Sequence, residues 1–107
     1  MFGLFTRALD ANLVLEMLRS VIDPELGVNI VDLGLVYDVA ISPDGVVSIA
    51  MTLTAPGCPL GGFLEEQIRA CLAQLPQVRG TVVELVWDPP WDPSAMSEAA
   101  RRQLGSE

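Results

Sequence analysis

Histidine and lysine are both absent from this 107-residue sequence. Histidine is the side chain that most often serves as an acid–base catalyst near neutral pH and as a metal ligand, so such chemistry is left to sulfur and carboxylate groups. The only cationic side chains are six arginines against 14 acidic residues, which gives a formal net charge of −8. Proteins that bind a phosphate backbone need clustered cations, so this charge balance argues against a nucleic-acid partner.

Long apolar runs are also missing, although half of the residues are hydrophobic. A bilayer-spanning helix needs about 18 or more consecutive apolar residues, and no run approaches that length. Residues 1–17 lack both the cationic first region and the small-residue cleavage site of a signal peptide. We therefore expect a cytoplasmic protein with no membrane segment, whose hydrophobic residues form one dense core.

Cysteine is scarce, because Cys58 and Cys71 are the only two. Reducing conditions in the cytoplasm argue against a lasting disulfide, so both are predicted to be free thiols. Cys71 shares a helical stripe with Ile68 and Leu72, which predicts a buried packing role. Cys58 lies instead in the glycine- and proline-rich stretch 55–62, where no regular element is expected.

The length indicates a single domain, which we place at residues 10–105 after an N-terminal leader over residues 1–9. Hydrophobic periodicity and turn residues predict six elements in the order α-β-β-α-β-α. The helices are expected over residues 11–22, after Cys58 up to residue 75, and 97–104, and the strands over residues 35–41, 46–54 and 80–87. This order predicts an α+β fold, a two-layer sandwich with a mixed three-stranded sheet and room for a short extra strand. The helix between the second and third strands predicts that these two run parallel.

Strand alternation also assigns individual side chains to the two faces of the sheet. Tyr37 is predicted to share one face of the first strand with Leu35, Val39 and Ile41, and Trp87 of the third strand is predicted to be a core residue. Thr52 and Thr54 are predicted to face outward from the second strand.

Cys58 has the sequence context of a reactive thiol. Pro59 suits the first position of a helix, which makes Cys58 the expected N-cap residue. Its sulfur would then face unpaired backbone N–H groups and the positive end of the helix dipole, and both favour the thiolate. The alternative, a loop cysteine without a function, is about as frequent for an isolated Cys-Pro pair.

Two further features leave alternatives open. Asp23 and Glu25 flank Pro24 and would either form a cation- or proton-binding pair or simply shape a turn. Trp91 follows a double proline and is either a lid on the core or an exposed contact for a partner. Asp32 is expected to have a structural role in a turn.

Four motifs in consistent order then identify a family resemblance. They are Asp23-Pro24-Glu25-Leu26-Gly27, the stretch 29–36, Thr52 to Pro59 with its Thr-x-x-x-Cys-Pro pattern, and Asp88-Pro89-Pro90-Trp91. Over about residues 10–105 the chain resembles the PaaD/SufT-like family of metal–sulfur cluster assembly factors. The cysteine-rich tail of PaaD members has no counterpart before Glu107, which disfavours the PaaD role. SufT members carry additional sequence before the domain, and the short leader here is closer to the stand-alone form.

The resemblance implies both a fold and a site. The fold would be like that of the carboxy-terminal domain of NifU scaffolds. Cys58 would be the reactive residue and metal ligand, with Thr54 of the same motif and the acidic pair Asp23 and Glu25 beside it. The cargo would be an iron–sulfur cluster or iron, held transiently. The implied partners are the assembly machinery, including P-loop carrier ATPases, and client apoproteins.

Two functions of different classes follow from this reasoning. The first is a carrier or an adaptor for iron–sulfur cluster assembly, and so not an enzyme. Because a cluster normally takes four cysteine thiolates, two chains would share it, or a partner or small thiol would complete its ligands, or the protein would only dock others. The alternative is a thiol-dependent enzyme with Cys58 as nucleophile, which the lack of histidine disfavours.

Overall fold

The computed structural model of the protein describes residues 8–54 and 60–105. Within these ranges three α-helices and five strands follow one another. In chain order they are α1 Ala11–Leu18, β1 Ile22–Asp23, β2 Val28–Asn29, β3 Val36–Ile41, β4 Val46–Met51, α2 Leu60–Leu72, β5 Gly80–Leu85 and α3 Glu98–Leu104. The predicted α+β class and element order are confirmed, and the short extra strand is a two-stranded antiparallel ribbon of β1 and β2.

The main sheet has the strand order β3-β4-β5. β3 and β4 form an antiparallel hairpin, whereas β4 and β5 run parallel, as the intervening helix predicts. Val47, Ile49 and Met51 of the central strand point to one side and are buried. Alternate residues of a strand face opposite sides of a sheet, so this face carries the core.

The core gathers side chains from α1, α2 and one face of the sheet. Its largest fully buried members are aliphatic: Leu18, Ile30, Leu33, Leu35, Ile49, Met51, Leu64, Ile68 and Leu72. None of the described helices reaches the length and apolarity that crossing a bilayer requires.

The prediction for Tyr37 was wrong because β3 contains a bulge. Val36 pairs with Met51 and Asp38 pairs with Ala50, which are consecutive residues of β4. Tyr37 is therefore the extra residue of the bulge and has no pairing partner in β4. Its hydroxyl donates a hydrogen bond of 2.9 Å to the carbonyl oxygen of Pro89. The tyrosine thus anchors a distant loop instead of filling the core.

The first helix is shorter than its apolar pattern predicts. Asp10 is the N-cap, as predicted, and accepts a hydrogen bond of 2.8 Å from the N–H of Leu13. The helix nevertheless ends at Leu18, and Ile22 begins the ribbon with 45% of its surface exposed. The N–H of Ile30 donates to the carbonyl of Val21, and this long-range bond diverts the chain from the helical path.

The two tryptophans differ in how far their predicted places hold. Trp87 lies beyond Leu85, where β5 ends, and is 44% exposed, so the prediction that it is a core residue was wrong. Trp91 packs against the core, and its indole N–H donates a hydrogen bond of 2.7 Å to the carbonyl of Leu33. Trp91 therefore has the position of a lid on the core.

The last helix has both of its predicted ends. The Ser97 hydroxyl caps the first turn by accepting from the N–H of Ala100. Gly105 terminates the helix with a φ of 72°, in the left-handed region that favours glycine. Ala100 is completely buried and attaches the helix to the rest of the domain.

Gly34 provides a test of how closely the C-terminal segment approaches the first half of the chain. Its φ is 81°, and a Cβ atom there would lie 2.5 Å from the carbonyl oxygen of Ala95. We expect Gly34→Ala to lower the free energy of unfolding by about 3 kcal/mol, through backbone strain plus the clash. Gly27→Ala is the matched control, because its φ is 72° but nothing lies within 4 Å of the added atom. It should cost only about 1 kcal/mol in chemical denaturation, and equal losses would show that the contact with Ala95 is unimportant.

Candidate functional site

The motif that carries the predicted thiol begins at the carboxyl end of β4. Thr54 is half-buried and is the last residue described before the chain resumes at Leu60 in α2. Cys58, and with it the predicted N-cap arrangement with Pro59, lies outside the described residues. Thr54 and Leu60 are the described residues on either side of this segment.

Thr52 is buried, contrary to the prediction that it faces outward. It lies just past β4, where the N–H of Thr52 donates to the carbonyl of Leu35 on one side and the N–H of Val86 donates to the carbonyl of Met51 on the other. Chain on both sides thus covers the end of the strand. Among the described residues, the Thr52 hydroxyl has no hydrogen-bond partner. Sequence alternation gave no signal of this buried, unpaired group.

The acidic motif forms a tight turn over residues 23–27, here called the acidic turn. Asp23 is only 2% exposed, and its Oδ1 accepts hydrogen bonds from the N–H groups of Glu25 at 2.8 Å and Leu26 at 3.3 Å. The N–H of Gly27 donates to the Asp23 carbonyl at 2.7 Å. Asp23 therefore organises the turn, whereas the Glu25 side chain is exposed. Of the two sequence alternatives, the turn-forming one describes Asp23.

A second turn, over residues 29–35 and here called the central turn, connects these two places. Its Ile30 donates to the carbonyl of Val21, next to the acidic turn, and its Leu35 accepts from Thr52. Leu35 in turn donates to the carbonyl of Ile30. The acidic turn and the end of β4 are thus attached to the same short piece of chain.

Asp32 fixes the shape of the central turn, as its predicted structural role requires. Its Oδ2 accepts from the Asn29 side-chain amide at 2.7 Å, and its N–H donates to the Asn29 Oδ1 at 2.8 Å. Its carbonyl accepts from the N–H of Ser97 at 2.7 Å, which attaches the start of α3. Arg19 lies 3.9 Å away as a partly exposed ion-pair partner. The Asp32 carboxylate is therefore engaged within the turn.

Cys71 is buried, which confirms its predicted place. Its Sγ donates a hydrogen bond of 3.0 Å to the carbonyl of Met17 and lies 3.5 Å from the Ser20 hydroxyl. This sulfur joins α2 to α1. It is withdrawn from any ligand that approaches the surface.

Two other observations bear on ligand binding. Among the described residues, no three cysteine, aspartate or glutamate side chains come together as a metal site would require. An open depression of about 850 Å³ lies at the start of β4 and β5, where Asp44 and Arg79 contribute to its lining. That depression is at the opposite end of the sheet from Thr54.

Comparison with known proteins adds independent information. A model of the family described as iron–sulfur cluster assembly protein matches residues 12–85. The chain is 49% identical over 92 residues to the Fe-S protein maturation auxiliary factor YitW of Bacillus subtilis, covering 86% of this chain and 90% of that protein. It is 48% identical over 85 residues to the Fe-S protein maturation auxiliary factor SufT of Staphylococcus aureus, covering 79% and 97%. A solved domain of unknown function, DUF59, from Bacillus anthracis superposes with a TM-score of 0.85 at 42% identity, covering 90% of this chain and 92% of that one.

Variants of the acidic turn should separate its structural residue from its chemical one. Asp23→Ala removes the acceptor of two N–H groups, so we expect a loss of about 1–3 kcal/mol in the free energy of unfolding. Asp23→Asn keeps Oδ1 and should lose less. Glu25→Gln should stay within about 0.5 kcal/mol of the wild type, because its side chain is exposed. Urea denaturation measures all three, and a large loss in Glu25→Gln would contradict this division.

Thr52→Val should stabilise the protein. The change replaces a buried hydroxyl that has no partner in the described part of the chain with a methyl group of similar size, so we expect a gain of about 1 kcal/mol in the free energy of unfolding. Thr54→Val is the control at a half-buried position and should change stability little. A loss in Thr52→Val under the same denaturation assay would mean that the hydroxyl is satisfied in solution.

Proposed function

We propose that this chain acts through Cys58, either by carrying iron or a cluster or by bringing assembly machinery to client proteins. The chain belongs to the iron–sulfur cluster assembly protein family and has a role in assembling or maturing such clusters. The observation that carries this proposal is the position of Cys71. Its sulfur is buried and donates to the Met17 carbonyl. In a chain with two cysteines and no histidine, Cys58 is then the thiol left for an external ligand.

A single thiolate does not account for a whole cluster. Iron–sulfur clusters are normally held by four cysteine thiolates, so the remaining ligands would come from a second copy, a partner protein or a small thiol. A site that is completed only by another molecule holds its cargo transiently. This property suits a protein that passes clusters or iron to others. In the alternative adaptor function, the protein would bind its partners without binding a cluster or iron.

We further propose that Thr54, Asp23 and Glu25 surround Cys58. The support is the central turn, which is hydrogen-bonded to Val21 beside the acidic turn and to Thr52 at the end of β4. Within this arrangement Asp23 holds the acidic turn in shape, and the exposed Glu25 carboxylate is the group able to meet a cation or a partner. Trp91 remains a proposed partner contact. Because its side chain packs on the core and its indole N–H is bonded to the Leu33 carbonyl, only the exposed part of the ring is available to a partner.

The partners proposed are P-loop carrier ATPases and client apoproteins in the cytoplasm, where free thiols persist. The relatives described above are named as maturation auxiliary factors and not as enzymes. We therefore propose carriage or docking, and not turnover of a substrate, as the activity of Cys58.

Replacing Cys58 by serine should abolish client maturation and leave the fold nearly as stable as before. A serine hydroxyl stays protonated at neutral pH and is a poor ligand for iron–sulfur centres. We expect less than about 1 kcal/mol of lost stability, since serine is also a good N-cap residue. The measurements are the activity of iron–sulfur enzymes in a deletion strain and, for the purified chain, iron bound per chain after anaerobic reconstitution.

Cys71→Ser is the matched control. The new hydroxyl inherits the Met17 carbonyl and Ser20 as partners, so the cost should be about 1 kcal/mol, with maturation retained. Full maturation by Cys58→Ser would show that the thiol is dispensable. The adaptor form would then replace the carrier form.

A further inference from the structure

β5 is an outer strand of the sheet, and only part of its free edge is closed. In a parallel ladder, alternate residues of a strand direct both backbone polar groups to the neighbour. Just past the end of β5, the N–H of Val86 donates to the carbonyl of Met51 in β4. Because the pattern alternates, Val82 and Glu84 also direct their N–H and C=O groups toward β4. Thr81, Val83 and Leu85 therefore direct their N–H and C=O groups away from the sheet.

A side chain closes one end of this edge. The Arg69 guanidinium donates to the Thr81 carbonyl, and the same guanidinium is held by Glu65 at 2.7 Å. Val83 and Leu85 have no such cover among the described residues, and we call this part of β5 the open edge. Unpaired strand edges are templates for another strand, and proteins usually cover them or place a cation there. Here the cation is at Thr81 only.

The side chains of the open edge differ on the two faces of the sheet. On the helix-covered face Leu85 is 39% exposed, and Trp87 follows it at 44%. Leu85 reaches the beginning of α2, where a Cβ atom on Gly61 would lie 3.3 Å from it, so the glycine leaves space for this apolar side chain. On the other face Val82 is 51% exposed and Glu84 is exposed, and Glu84 takes part in no ion pair with a described arginine.

We propose that the open edge binds an extended segment of a partner protein that alternates apolar and cationic residues. Such a segment would add a strand beside Val83 and Leu85 through main-chain hydrogen bonds. The period of two would place its apolar side chains against Leu85 and its cationic ones near Glu84. The role of this partner in cluster assembly rests on the proposed function. The binding itself does not, because it needs neither Cys58 nor a cluster.

The charge of the chain favours this occupant over a second copy. Two chains with a net charge of −8 repel each other, and paired β5 strands would bring two Glu84 side chains together without a cation between them. A basic, apolar segment meets complementary groups on both faces. The acidic Asp88 next to Trp87 adds to this attraction.

The proposal is tested with a five-residue peptide that alternates valine and lysine, titrated into the full chain and followed by amide NMR. We expect shifts and slower hydrogen exchange at the amides of Val83 and Leu85. Glu84→Gln should weaken binding up to about fivefold, the range of a cross-strand charge pair. Val83→Pro removes an outward N–H, a position where proline spares the ladder, and should weaken binding about tenfold.

Asp38→Asn is the matched control for charge. Asp38 and Glu84 both pair with Ala50, from opposite sides of β4, so each variant removes one negative charge from the same row of the sheet. Only Glu84 lies on β5, and Asp38→Asn should leave the affinity unchanged. A peptide that alternates valine and glutamate should not bind.

Three results would overturn the proposal. They are no binding at millimolar peptide, equal effects of Asp38→Asn and Glu84→Gln, or a concentration-dependent dimer that protects the same amides and excludes the peptide. Glu84→Gln keeps the test valid should Val83→Pro fail to fold. Cys58→Ser should bind the peptide like the wild type, so a failed peptide test and a failed maturation test remain distinguishable.

Discussion

The central turn is the constraint on which the rest of the domain depends. Val21, Thr52, Trp91 and Ser97 are far apart in sequence, and each is hydrogen-bonded to a residue within it. The turn can be this crowded because Gly34 has no side chain, so Ala95 packs directly against its backbone. A hydrogen-bonded turn with partners on several sides has few alternative conformations, and it fixes the acidic turn, the end of β4 and the C-terminal helix relative to one another.

How far the sequence predicts this arrangement depends on the range of the interactions involved. The helix caps at Asp10 and Ser97 and the parallel pairing of β4 and β5 were predicted, because capping and crossover connectivity are local or topological rules. The bulge at Tyr37 and the exposure of Trp87 were not, and the choice between the two places left open for Trp91 was not either. Each depends on a bond to a residue more than 50 positions away, or on where β5 ends, and no periodic pattern records such contacts.

The candidate site divides in the same way. Its residue types were predictable, since a chain without histidine that has two cysteines concentrates sulfur chemistry on few positions. The burial of Cys71 was predictable from its helical stripe, whereas its hydrogen bond to the Met17 carbonyl was not. The division of work between Asp23 and Glu25 was not, because two carboxylates that flank a proline are equivalent in sequence. Only the fold shows that one accepts backbone hydrogen bonds while the other is exposed.

The two ends of the sheet differ in how completely their polar groups are satisfied. At the start of β4 and β5 the hairpin turn is closed, because Gly45 donates to Ser42 and accepts from Arg79, and a Cβ atom at Gly45 would lie 2.6 Å from the Gln77 carbonyl. At the other end, the buried Thr52 hydroxyl has no partner within residues 8–54 and 60–105, and the open edge presents backbone groups beside exposed apolar side chains. Unsatisfied polar groups and exposed apolar surface both lower stability, so neither is explained by folding. The Thr52 hydroxyl is buried and out of reach of another molecule, whereas the open edge is exposed at the end of the sheet where β4 leads into the Cys58 segment. Exposed backbone groups beside apolar side chains are expected of a surface that another protein completes.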